Sequence, residues 1–135
     1  MKKILLIIVC LSLFAFQSCN ESSKNPTQVS EIELISPQQV YEAIYGEDSV
    51  QIVDVRTSEE FSDSHLKGAQ NICVTNNDFK EKIKTLDKEK PVYLYCKMGG
   101  RSARAAKILK KMGFKKVYDM EGGITSWKDK NLMVE

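Results

Sequence analysis

No Cys-x-x-Cys pair occurs in this chain, whose four cysteines, Cys10, Cys19, Cys73 and Cys96, stand far apart. That excludes a thioredoxin-type dithiol exchanger and a small disulfide scaffold. The single histidine, His65, and the spaced cysteines also lack the ligand number and spacing of a zinc site, so no metal is expected. There is no internal repeat and therefore no solenoid. The apolar run from Ile4 to Phe16 is too short to cross a bilayer as a helix, which takes about 20 residues. Charge of one sign is lacking too. The formal net charge is +2, but two of the twenty basic residues, Lys2 and Lys3, precede that run, and residues 19–135 balance. A nucleic-acid partner, which needs a clustered basic face, is not expected.

Met1-Lys2-Lys3 and the apolar run have the form of a bacterial export signal, and Phe16-Gln17-Ser18-Cys19 resembles a loose lipobox with Cys19 as the lipidated residue. The expected organisation is a lipoprotein signal peptide over 1–18, a flexible tether over 19–30 and one domain over 31–135. Asn20 to Gln28, rich in Ser, Asn and Lys with Pro26, has tether composition. This predicts a membrane-held protein in the cell envelope, its domain outside the cytoplasm and facing the periplasm if the cell has two membranes. Ordinary secretion with a free Cys19 is the alternative. About a hundred residues remain, enough for one core and not two, and a monomer is expected.

The domain alternates short apolar runs with helical patterns. Candidate strands are Ile32 to Leu34, Gln51 to Val55, Ala69 to Cys73, Val92 to Tyr95 and Lys116 to Tyr118. Helices are expected over Pro37 to Tyr45 with Ser36 as cap, Asp78 to Leu86, the segment after Cys96, and Ile124 to Lys130, with a short turn from Glu59 to Asp63. Strand and helix in succession predict an α/β domain with a parallel sheet covered on both faces. Its active site should lie beyond the carboxyl ends of the strands. Lys80 to Lys90, mixed in sign, reads as a solvated face with Ile83 and Leu86 inside.

Chemistry concentrates at Val92-Tyr93-Leu94-Tyr95-Cys96-Lys97-Met98-Gly99-Gly100-Arg101-Ser102, where a buried strand empties into a basic, glycine-containing turn. A helix follows, with Ser102 as candidate cap and Ala103, Ala105, Ala106, Ile108, Leu109 and Met112 as its apolar face. Backbone N–H groups of the turn and the helix dipole can point at the Cys96 sulfur, while Lys97, Arg101 and Arg104 lie close. All favour a thiolate, so a lowered thiol pKa is predicted.

Cys-x-x-Gly-x-Arg-Ser at Cys96 to Ser102 resembles the active-site loop of rhodanese-like sulfurtransferases. Further motifs agree in order: Ile52-Val53-Asp54-Val55-Arg56; Glu59-Glu60-Phe61; His65-Leu66-Lys67-Gly68-Ala69 with Asn71-Ile72; and Gly113-Phe114, Val117-Tyr118 and Glu121-Gly122-Gly123-Ile124 with Trp127. The resemblance spans about Ile32 to Lys130. Ser64 departs from it, since a glycine often precedes the histidine. It implies a single three-layer domain with a five-stranded parallel sheet flanked by helices. It also implies Cys96 as nucleophile, Lys97, Met98, Gly99, Gly100, Arg101 and Ser102 as the substrate-binding loop, and no metal or organic cofactor. The reaction implied moves a sulfane sulfur from a small anionic donor such as thiosulfate to a thiol or cyanide through a Cys96 persulfide.

Supporting roles fall to Asp54 and Arg56. Arg56 is expected to pair with Glu59 or Glu60 and shape the loop after its strand, and Asp54 to fix that loop and reach toward the Cys96 turn. His65 belongs to a structural turn, Trp127 to the core, and the Gly122-Gly123 pair to a tight turn that brings backbone to the site. Cys73 is an occasional resolving thiol at most. Two rival functions stand beside sulfur transfer. One is a non-enzymatic sulfur-carrier or binding module on the same fold. The other is a Cys-dependent phosphatase or arsenate reductase, against which loop length argues: four residues separate Cys96 from Arg101, whereas the related cell-cycle phosphatases have five.

Overall fold

The computed structural model describes residues 30–46 and 50–135. The signal segment, Cys10, Cys19 and the tether up to Gln28 lie outside the described residues. Among the described residues five strands, β1 (Glu31–Ile35), β2 (Gln51–Asp54), β3 (Gln70–Asn71), β4 (Val92–Tyr95) and β5 (Lys116–Met120), alternate with five helices. The helices are α1 (Pro37–Gly46), α2 (Ser58–Asp63), α3 (Phe79–Ile83), α4 (Gly100–Lys111) and α5 (Gly123–Asp129). Every strand pair is parallel, in the order β1-β5-β4-β2-β3. The five-stranded sheet flanked by helices is therefore the architecture, and its strand order comes from the structure alone.

Strand side chains alternate between the two faces, and both faces are buried because each carries helices. Val53, Leu94 and Val117 join Phe79, Ile83, Ala105, Ala106 and Leu109 on the side of α3 and α4. Ile52, Tyr95 and Met120 join Val40, Leu66, Ile124 and Trp127 on the side of α1 and α5. Trp127 is core, fully buried, with its indole N–H donated to the Met133 carbonyl at 2.9 Å. Ile83 and Leu86 are inside as expected.

Three local expectations are corrected. The ladder of β3 covers only Gln70–Asn71, yet the chain runs on beside β2 through Ile72 N–H to Asp54 O (3.0 Å) and Val74 N–H to Val55 O (3.1 Å). The segment Glu59 to Asp63 is a helix rather than a turn, because Thr57 and Glu60 close a reciprocal capping box. Ser102 does not cap α4. Gly99 does, at φ 110°, a left-handed turn that starts the helix three residues earlier and leaves Ser102 buried in its first turn.

Candidate active site

Cys96 follows β4 directly, at the carboxyl edge of the sheet, with β2 and β5 on either side. Its residue is buried at 1% exposure. The Gly99 N–H donates to Sγ at 3.0 Å, and the Ser102 hydroxyl, itself donated to Gly99 O at 3.1 Å, and the N–H groups of Ser102 and Met98 also favour the charged sulfur. Burial pushes the thiol up, but these four donors outweigh it and hold the thiol below its ordinary range. The lowered pKa was expected, and so was the part the turn's N–H groups play in it. Arg101 also interacts with the Cys96 charge, although its guanidinium is bonded to Glu60, whereas Arg104 turns away. Arg104 donates to the Val74 carbonyl at 3.1 Å.

The loop is held from below by α5. Ile124 N–H donates to Cys96 O at 2.9 Å and Thr125 N–H to Lys97 O at 3.1 Å. Gly123 makes that approach possible: a Cβ there would stand 2.4 Å from Cys96 O and 2.5 Å from Lys97 O. The glycine pair thus brings backbone to the site as its sequence suggested.

Arg101 is spoken for. Its Nη1 and Nη2 bind the two Glu60 oxygens at 2.7 and 2.8 Å, linking the first turn of α4 to α2. Arg101 first of all lowers the Glu60 carboxyl, to about 2. Sequence reasoning placed Arg101 in the loop but missed this partner, although Thr57-x-x-Glu60 is a legible capping signal. Arg56 is corrected in the same way. It pairs with Asp54, through Nε at 2.9 Å to both oxygens, and donates to Ser64 O at 2.7 Å. Asp54 also accepts from the Arg56 N–H at 2.9 Å, so it turns onto its own loop and not toward Cys96. Two residues apart and both buried, they form a closed clasp after β2, with the guanidinium 5.6 Å from the centre of the Tyr95 ring. Loop fixing is their role.

Arg56, Glu60, Lys97, Thr125 and Lys128 line one cleft of about 460 Å³ at this edge. Lys97 and Met98 are exposed. His65 is tied into structure, its Nδ1 3.0 Å from Phe61 O and its backbone paired both ways with Glu135 at 2.8 Å. Cys73 and Cys96 are both free thiols, and Cys73 Sγ contacts Thr75 Oγ1 at 3.1 Å. One further group escaped the sequence: Asp119 on β5 is a buried carboxyl whose Oδ1 has no hydrogen-bond partner.

The family model described as rhodanese-like domain matches residues 36–130. The chain belongs to that family. Among its relatives, the thiosulfate sulfurtransferase GlpE of Glaesserella parasuis is 35% identical over 101 residues, covering 75% of this chain and 91% of GlpE. YqhL of Bacillus subtilis is 39% identical over 82 residues, covering 61% of this chain, and this chain spans just under two thirds, 64%, of YqhL. The crystal structure of a rhodanese-related protein from Thermoplasma volcanium superposes with TM-score 0.67 at 30% identity, over 76% of this chain and 97% of that one. A relative named as a thiosulfate sulfurtransferase is thus similar in sequence, and a solved rhodanese-related protein is similar in fold.

Proposed function

We propose that this rhodanese-like domain is a sulfurtransferase that carries sulfane sulfur on Cys96. The observation that supports it most is the cradle of neutral donors on the Cys96 sulfur, which suits a thiolate and equally a persulfide anion. In the first half-reaction the Cys96 thiolate attacks the outer sulfur of thiosulfate. The Cys96 S–S bond forms, the donor S–S bond breaks, and sulfite leaves with the electron pair. In the second, an acceptor thiolate attacks the outer sulfur of the persulfide, takes it as R–S–S⁻ and returns the Cys96 thiolate. Cyanide accepts in the same way and leaves as thiocyanate. Neither step needs a proton relay from His65 or an added cofactor.

The cleft is mixed in sign, with Arg56, Lys97 and Lys128 set against Glu60, Asp63 and Asp129, so its charge does not by itself select an anionic donor, and the Arg101 charge is largely spent on Glu60. The four-residue spacing from Cys96 to Arg101 makes a ring too small for a tetrahedral oxyanion, which weighs against phosphatase or arsenate reductase chemistry. In this reading the chain is held to the envelope membrane by lipid on Cys19, acts as a monomer, and presents the carboxyl edge of its sheet to small-molecule donors and thiol acceptors.

Intact-protein mass measurement after exposure to a panel of sulfane donors tests the reading. A gain of one sulfur atom, reversed by cyanide or dithiothreitol and absent in Cys96→Ser, is the expected result. Full sulfur transfer by Cys96→Ser, or hydrolysis of phosphate esters with refusal of every sulfane donor, would overturn it.

A further inference from the structure

Strand β1 ends the sheet: β5 lies on one side of it and, among the described residues, no strand on the other. Its Glu31 N–H donates to Lys115 O at 3.0 Å and its Ile35 O accepts from the Glu121 N–H at 2.9 Å, so residues 31, 33 and 35 turn their backbone groups toward β5. The N–H and C=O of Ile32 and Leu34 then point outward, to the open edge. Both side chains are exposed, Ile32 at 36% and Leu34 at 62%, and they stand on the sheet face of Val117, the α4 side. An edge of this kind, with free main-chain groups and apolar side chains, can pair with a further strand.

The other face of the same edge is acidic and aromatic. Glu33, Tyr118 and Tyr93 stand in one row across β1, β5 and β4, the two rings stacked with centroids 4.8 Å apart. With Gln39, Glu42 and Ala43 of α1 they line a cavity of about 460 Å³. Lys116 shows how a cation sits on this face: its Nζ is 2.7 Å from both Glu31 and Glu33, and 5.0 Å from the centre of the Tyr118 ring. Glu42 accepts from the neutral Gln38 amide at 3.4 Å. One lysine thus stands against three carboxylates, and the cavity beside them has room for a second cation.

These charges also decide which strand is refused. Antiparallel pairing of β1 with its own copy about Glu33 would set Ile32 against Leu34 but Glu33 against Glu33, and like charges directly opposite are unfavourable. An acidic segment is turned away for the same reason. The tether does not match either, because Asn20 to Gln28 holds one cation, Lys24, and no apolar alternation. We propose that the β1 edge docks an extended segment of a partner protein in which basic and apolar residues alternate. Its apolar residues lie beside Ile32 and Leu34, and a basic residue between them lies beside Glu33 and reaches Glu42 and the tyrosine-lined cavity. Main-chain bonds to Ile32 and Leu34 hold the segment, and charge selects it.

The probe is an acetylated, amidated decapeptide of alternating lysine and valine, compared with its counterpart of alternating glutamate and valine. Residue-resolved amide exchange is followed on the full chain, and no readout involves Cys96, so the result is independent of sulfur transfer. The Ile32 and Leu34 amides should slow about tenfold with the basic peptide and not with the acidic one, and the effect should fade as salt is raised. Leu34→Pro removes one outward N–H while leaving the ladder to β5 intact, and should abolish the protection of Ile32. Glu33→Lys combined with Glu42→Lys should turn the preference to the acidic peptide. Protection by neither peptide, equal protection by both, or undiminished protection of Ile32 in L34P would each overturn the proposal. Protection that rises with protein concentration in the absence of peptide would assign the edge to a second copy and overturn it as well. Should L34P fail to fold, the E33K/E42K chain decides: a reversed preference supports the proposal and an unchanged one overturns it.

Discussion

Around Cys96 single residues divide into those that shape the cradle and those that only line it. Gly99 stands at φ 110°, where a Cβ is strained whatever the space around it, whereas Gly100 opens α4 in an ordinary conformation with no atom within 4 Å of a built Cβ. Gly99→Ala should therefore cost ~1–2 kcal/mol and, as the strained turn relaxes, shift the N–H aimed at sulfur and reduce persulfide formation. Gly100→Ala should leave loading intact and raise stability by up to ~1 kcal/mol, since alanine is the better helix former. Thermal melts and donor-loaded mass spectra on the two variants separate these outcomes. Cys73→Ser should still load sulfur on Cys96, because Cys73 contacts Thr75 and has no cradle of N–H donors recorded on its sulfur.

The link between elements that most affects the site is the fork of Arg101 on Glu60, which ties α2 to α4 across the mouth of the cleft. Its two ends make opposite predictions. Glu60→Gln releases the Arg101 charge and should lower KM for an anionic donor, whereas Arg101→Ala leaves Glu60 unneutralised and should raise it. Each change should be about fivefold, the equivalent of ~1 kcal/mol for a pair whose side chains are about 30% exposed. The same pair sets an acid limit. Because Glu60 is lowered from 4.5 to about 2 in the folded chain, its stabilisation is fully present above pH 4.5 and is lost as pH falls toward 2. Glu60→Gln should flatten that part of the stability-against-pH curve in chemical denaturation.

At the scale of the molecule, five parallel strands deliver their following loops to one edge. Loops from β2, β4 and β5 meet there as clasp, Cys96 loop and glycine-lined support. The clasp of Asp54 and Arg56 is buried, so Asp54→Ala should leave a guanidinium without its partner and cost about 3 to 5 kcal/mol in a denaturant melt, with the loss of activity following the loss of fold. The placement of the whole domain is a matter for Cys19. Cys19→Ala should give an unprocessed or mislocalised chain in cell fractionation, and normal processing of wild type to a lipid-free soluble form would refute the anchor.

Local pattern was enough to determine the alternation of strands and helices, the buried character of β2 and β4, the place of Cys96 at the exit of β4 and the need for glycine at its turn. Those properties are encoded within a few neighbouring residues, by period-two burial, by apolar runs and by backbone conformations that only certain side chains permit. Pairings across the fold were decided by the tertiary structure. Four nearby charges compete for Arg56 and Arg101, and which carboxylate each takes depends on where β2, α2 and α4 come to lie. Asp119 is the clearest case. Along the chain it is one polar residue in a short strand, and only the parallel packing of β5 between β1 and β4 buries its carboxyl and leaves Oδ1 without a partner.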